Sequence, residues 1–179
     1  IDEVVAYWYQ RAPWTDSAQA LQSQAAIASQ IVTRMIELIQ QQGVAKAGVQ
    51  EILASLQAQD LPLALASSSS PALIDAVLDR LRLRACFRLT HSATQEPYGK
   101  PHPAVYLTTA QRLGVSPLHC LAIEDSLNGV LAAKAARMQC IALPENYPQH
   151  DPKFVIADYI APSLTTVAAE ILPGLENVL

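Results

Sequence analysis

The sequence predicts an α/β protein: a parallel sheet with helices on both faces, preceded by a small all-helical segment. Three observations predict it. From residue 49 onward, short apolar runs alternate with amphipathic helix patterns. Those runs, at 61–66, 120–123 and 140–143, are continuously apolar, as in strands covered on both faces. Before Gly43 only helical periodicity is present.

The elements follow in order. Ile1, Val4, Val5 and Trp8 share one face of a first helix. Pro13-Trp14-Thr15-Asp16-Ser17 breaks that helix and offers caps for a second, from about Ala18 to Gln42. Gly43 ends it, and the small residues 43–48 mark a hinge. The division is therefore 1–45 for a helical unit and 46–179 for the α/β unit. A helix through Val49, Ile52, Leu53 and Leu56 leads to the strand at 61–66. Ser70-Pro71 caps the next helix, and a second strand is expected at 86–90. Pro103 opens a helix that Gly114 closes. The strand at 120–123 stops at Glu124-Asp125, Ser126 caps another helix, and 140–143 forms a fourth strand. Asp151-Pro152 starts a helical turn, Tyr159-Ile160 is a last short strand, and Ser163 caps the terminal helix.

Composition narrows the function. Of 179 residues, 51% are hydrophobic and 16% charged, enough to bury a core and too apolar for disorder. A net charge of -4 leaves no basic surface for nucleic acid, and no apolar run is long enough to span a bilayer. The three cysteines fit no disulfide framework. They read as small buried hydrophobes of a reducing, cytoplasmic compartment, with a reactive thiol as the alternative. A monomer is expected. The pairs His91/His119 and Cys120/Cys140 fit no zinc spacing, and His102 reads as loop structure.

In parallel sheets, polar groups at the carboxyl ends of strands converge on one crevice. Three places qualify. Ser67 and Ser68 follow a strand and precede a helix, where hydroxyls and free N–H groups favour phosphate; the alternative is a plain turn. Glu124-Asp125 ends an apolar strand, and adjacent carboxylates there suit Mg²⁺, which takes one or two carboxylates plus a substrate phosphate. The alternative is a helix-dipole acid pair. Lys100, stiffened by Pro101 and Pro103, can sit against a phosphate or a carboxylate rather than in solvent.

In this order, Leu65-Ala66-Ser67-Ser68-Ser69, Lys100-Pro101-His102-Pro103 and Ile123-Glu124-Asp125-Ser126-Leu127-Asn128-Gly129 resemble motifs II, III and IV of the haloacid dehalogenase-like hydrolases. The order and spacing match the subgroup with a helical cap. The segment 8–14 and the tail 151–155 resemble its sugar phosphatases. The resemblance implies a Rossmann-like core, a helical cap, Mg²⁺ as cofactor, and hydrolysis of a hexose or hexitol phosphate through an aspartyl-phosphate. It implies that Ser67, with Ser68 beside it, binds the phosphoryl group and that Lys100 neutralises it. Asp125 would ligate Mg²⁺, with Glu124 as a ligand or behind it. Arg11, Trp8, Tyr9 and Trp14 become candidates for reading the sugar, against aromatic packing for the two tryptophans.

The sequence departs from the family at two points. No Asp-x-Asp occurs, and the family carries its nucleophile in that motif on the first, central strand. There is no initiator Met, and residue 1 already reads as the inside of a helix. The expectation is that chain is missing upstream and that these residues alone are unstable or a fragment. Lys46-Ala47-Gly48-Val49 also stands where a Pro-Gly-Val is usual. A phosphomutase using the same residues, or a non-catalytic phosphosugar-binding module, are the alternatives.

Overall fold

A computed structural model describes residues 1–14, 20–144 and 152–175. Helices α1 (Asp2–Arg11) and α2 (Ala20–Gln42) pack on each other, and α2 packs on α4 (Pro71–Leu81). The residues expected to start α2, Thr15 to Gln19, lie outside the described residues, as does Asp151. The chain then alternates through α3 (Val49–Ala58), β1 (Ala64–Ser67), α4, β2 (Leu89–Ser92), α5 (Ala104–Leu113), β3 (Leu121–Glu124), α6 (Leu127–Ala135), β4 (Gln139–Ala142), β5 (Tyr159–Ile160) and α7 (Leu164–Thr166). Ser163 caps α7 as expected, its hydroxyl accepting from Thr166 N. The terminal helix continues irregularly, as a π-helical turn (Val167–Ile171) and a 3₁₀ turn (Leu172–Leu175). Pro173 lacks the N–H that a regular α-helix needs there.

Every strand pair is parallel, as the helix–strand alternation requires. Pairing falls into two groups, β1–β2 and β3–β4–β5; among the described residues β1 and β3 are not paired with each other. Side-chain alternation sorts the core onto two faces. Ala122, Cys140 and Ala142 meet α5 and α6 through Val105, Ala110, Val130 and Ala133. Leu65, Ile123 and Ile141 face the opposite way, against Ile52, Ile74, Leu78 and Val167.

Two hinge residues have a backbone reason. Gly48 has φ +86, and a Cβ there would meet the backbone of Leu164 and Thr165, so α3 can begin close against α7 only at a glycine. Arg80 Nε donates to Gly43 O at 3.1 Å, tying the end of α2 to α4.

The second strand begins later than its apolar pattern suggested. Residues Arg84–Cys86 form a 3₁₀ turn, and pairing starts with Ala64 against Leu89. His91 and Ser92 read as a polar strand end, yet both are buried within β2. Tertiary partners make that burial possible. His91 Nε2 contacts Glu96 Oε1 at 2.6 Å, and Ser92 Oγ reaches Ser69 O. The His91 contact, first of all, holds the Glu96 carboxyl below the usual range.

Asp158 fastens β4 to the segment before β5. Its carboxylate accepts from Cys140 N at 2.7 Å and pairs with Lys134 Nζ at 2.6 Å. Burial pushes its pKa up, but the Lys134 and Cys140 hydrogen bonds outweigh that and leave it lowered. A lowered folded pKa contributes stability above the ordinary carboxylate range and loses it as pH falls through the folded value. Urea midpoints of the intact protein and of Asp158→Asn are expected to differ at neutral pH and to converge in acid.

Cys140 is buried, and burial with the Glu124 charge pushes its thiol up to about 12; burial also raises Cys120. Neither has the exposed, electropositive setting of a reactive thiol. Among the described residues no helix is long and apolar enough to cross a membrane.

Candidate active site

The carboxyl ends of β1 and β3 open onto one cavity of about 940 Å³, which also takes in Ile1, Val32 and Met35 from the helical unit. Ser67, Ser68, Lys100, Glu124 and Asp125 all line it. The structure thus brings together five of the nine residues singled out from sequence. The other four, Trp8, Tyr9, Arg11 and Trp14, lie outside that lining; Arg11 is in the last turn of α1, with its guanidinium 4.0 Å over the Tyr7 ring.

Each residue is placed by its element. Ser67 is the last residue of β1, where the strand delivers it to the crevice. Its Oγ accepts from Ser69 N at 3.1 Å, so its own proton remains available to an acceptor in the cavity. Ser70 takes the N-cap backbone position of α4, with φ -63 and ψ 155, but its side chain makes no capping bond. Its Oγ is buried without a hydrogen-bond partner among the described residues.

Lys100 bridges the two unpaired strands. Its ammonium donates to Ala66 O of β1 at 3.2 Å and pairs with Glu124 Oε1 of β3. Both side chains are buried, at 8% and 7% exposure. A buried ion pair of this kind needs further hydrogen bonds to offset desolvation. Tyr106 supplies them: its hydroxyl donates to Glu124 Oε1 and lies 3.3 Å from Lys100 Nζ, which also sits 4.7 Å above its ring. Burial, then the Glu124 charge, raises the Tyr106 pKa strongly, so the phenol keeps its proton and remains a donor.

Glu124 and Asp125 are adjacent in sequence and opposite in fate. Glu124 turns inward and is engaged by Lys100 and Tyr106, while Ser126 Oγ donates to its other oxygen at 3.4 Å. Asp125 is exposed at the cavity. The split follows from tertiary partners: Glu124 is the last residue of β3 and meets Lys100 and Tyr106, while Asp125 falls in the bend before α6. Ser126 caps α6, its hydroxyl accepting from Gly129 N at 3.0 Å.

Gly129 has a steric role in this arrangement. A Cβ there would fall inside contact distance of the Glu124 carboxylate. Gly129→Ala is therefore expected to push Glu124 out of reach of Lys100 and Tyr106. Overpacking of this sort costs about 1–3 kcal/mol. The measurements are a lowered urea midpoint and a loss of turnover in the same variant.

The residues present fit a hard divalent cation only in part. Among the described residues no three His, Cys, Asp or Glu side chains cluster as a metal site. One exposed carboxylate at a polar cavity still suits Mg²⁺, which retains several waters. Zinc would require a closed set of nitrogen or sulfur ligands.

Sequence reasoning missed Tyr106 and Thr94. Tyr106 follows Val105 in an apolar helix, and nothing in its local pattern distinguishes a core aromatic from one whose hydroxyl serves an ion pair. Thr94 lies in the 3₁₀ turn Ala93–Gln95 capped by Ser92, which is too short for periodicity to mark it.

Comparison with known proteins identifies the family. Residues 3–137 match the family described as haloacid dehalogenase-like hydrolase. The chain is 42% identical over 174 residues to Hexitol phosphatase B of Escherichia coli (strain K12), covering 97% of this chain and 76% of that protein. It is 33% identical over 131 residues to Protein CbbY of Rhodobacter capsulatus, covering 72% and 57%. Among solved structures, CbbY from Rhodobacter sphaeroides in complex with phosphate is similar, with a TM-score of 0.73 and 28% identity over 80% of this chain and 65% of that one. The fold is also like that of a β-phosphoglucomutase from Clostridium difficile, at TM-score 0.75 and 22% identity over 94% of this chain and 72% of that one. With the three strand-end clusters converging on one cavity, and phosphatase names among its relatives, the chain belongs to the haloacid dehalogenase-like hydrolase family.

Proposed function

We propose that this chain carries most of the active site of a Mg²⁺-dependent phosphatase acting on a hexose or hexitol phosphate through an aspartyl-phosphate. The observation that carries the reading is the Lys100 bridge: a buried ammonium held between β1 and β3, beside Ser67 and Asp125, at the ends of strands that do not pair with each other. The similarity to Hexitol phosphatase B supports the substrate class.

In this reading the nucleophilic Asp sits on a strand between β1 and β3, supplied by a segment outside these 179 residues. Two facts support it. The sequence contains no Asp-x-Asp, and the facing edges of β1 and β3 have backbone groups that a parallel strand would satisfy. The Asp carboxylate attacks phosphorus in line, the P–O bond to the sugar breaks, and water then cleaves the acyl phosphate. Ser67 donates its hydroxyl proton to a phosphoryl oxygen, and Ser68 lies beside it. Lys100, whose three protons are directed at Ala66 O, Tyr106 and Glu124, contributes its fixed charge near the equatorial oxygens, which stabilises the transition state in a water-poor site. Glu124 and Tyr106 keep Lys100 aimed. Asp125 would hold Mg²⁺, with Glu124 behind it; the cation supplies charge neutralisation of the phosphoryl group. Residues 1–45 act as a cap over the core at 46–179 and exclude water on closing.

The test is a phosphate-release screen of hexose and hexitol phosphates with the intact protein, with and without Mg²⁺. Release from at least one, dependent on Mg²⁺, is the expected result. No release from any of them would overturn the reading.

A further inference from the structure

We propose that Thr94 is a specificity-determining residue that accepts a hydrogen bond from a hydroxyl of the substrate's polyol part, in a polarity imposed by Ser92. This rests on the phosphosugar reading above and adds to it a residue in the cavity wall.

Ser92 is 1% exposed. Its Oγ lies 2.6 Å from Ser69 O and 2.7 Å from Thr94 Oγ1, and it receives Thr94 N at 3.1 Å. A serine hydroxyl has one proton and two lone pairs. Ser69 O can only accept, so the Ser92 proton goes to it. Ser92 Oγ is then only an acceptor: the backbone N–H groups of Thr94 and Gln95 are aimed at it, and at 2.7 Å the Thr94 hydroxyl can bond to it only as the donor. The Thr94 hydroxyl has therefore committed its proton to a buried partner, and only oxygen lone pairs remain for the cavity that Thr94 lines.

Ser67 has the opposite arrangement. Its oxygen accepts once, from Ser69 N, and its proton is uncommitted. The two hydroxyls lining the cavity therefore differ in kind: Ser67 can donate to a phosphoryl oxygen, and Thr94 can only accept. A phosphoryl oxygen also offers lone pairs and would be repelled at Thr94. An alcohol offers a proton and would be held there. The chemical class that satisfies both at once is a phosphate ester of a polyol.

The intact protein is assayed with two esters: the sugar phosphate most active in the screen, and 4-nitrophenyl phosphate, which has no alcohol group. Loss of one neutral hydrogen bond corresponds to roughly a three- to tenfold change in affinity. Thr94→Val, which keeps the shape and removes the acceptor, is expected to raise KM for the sugar ester by that factor relative to KM for the nitrophenyl ester. The kcat for the sugar ester should fall less than its KM rises. Thr94→Ser, which restores the hydroxyl, is expected to return the KM ratio to the parent value. Equal changes with both esters, an unchanged ratio, or failure of serine to rescue would overturn the assignment while leaving the phosphatase reading intact. Absence of phosphate release from both esters by the parent protein would instead remove the reading on which the assignment rests.

Discussion

Lys100→Met is expected to lower kcat by about 10²–10³-fold, the usual consequence of removing a fixed donor from a charge-stabilising site. Its structural effect is separable. The substitution leaves the Glu124 charge buried, with only the Tyr106 and Ser126 hydroxyls facing it. Breaking one side of a buried ion pair destabilises by about 3–5 kcal/mol. Lys100→Met combined with Glu124→Gln removes both charges, so most of that stability should return while activity stays lost. Urea midpoints and phosphate release, measured on the single and double variants of the intact protein, decide the matter. Recovery of turnover in the double variant would show that Lys100 serves the fold and not the reaction.

Asp125→Asn is expected to abolish Mg²⁺-dependent phosphate release with little change in stability. Asn keeps the shape of Asp and removes the charge that a hard cation requires. Asp125 is exposed and takes no part in the Lys100–Glu124–Tyr106 cluster, so its replacement leaves no buried charge unpaired. The check is a Mg²⁺ titration of phosphate release alongside a thermal melt. Turnover equal to the parent at every Mg²⁺ concentration would refute the metal role. The contrast with Glu124 is informative: an uncompensated change there should lower stability as well, because its side chain is 7% exposed and engaged by three neighbours.

These expectations mark how far the sequence could be read. Alternation of apolar runs with helical patterns is a local signal, and it placed the strands at 64–67, 121–124 and 139–142 to within a few residues. Capping chemistry is equally local, and Ser126 and Ser163 cap the helices their positions suggested. The strand-end rule converted those placements into a site, because parallel strands deliver their last residues to one crevice. Ser67, Lys100 and Glu124-Asp125 were legible for that reason.

The second strand was misplaced because its final residues are polar. His91 and Ser92 are buried against Glu96, Arg112 and Ser69, and the last two lie 21 and 23 residues away from the residues they meet, beyond any local window. The same limit hid Tyr106, whose hydroxyl meets a carboxylate eighteen residues away.

By itself, then, the sequence determined the class of fold, the parallel pairing and the residues that gather at the strand ends, since periodicity, caps and strand-end position are properties of short segments. Only the tertiary structure decided what each of those residues does there. It turned Glu124 inward to Lys100, left Asp125 at the cavity, and placed Ser92 between Ser69 and Thr94. Those outcomes depend on which buried group holds a proton or a charge, and that is fixed by partners from other parts of the chain.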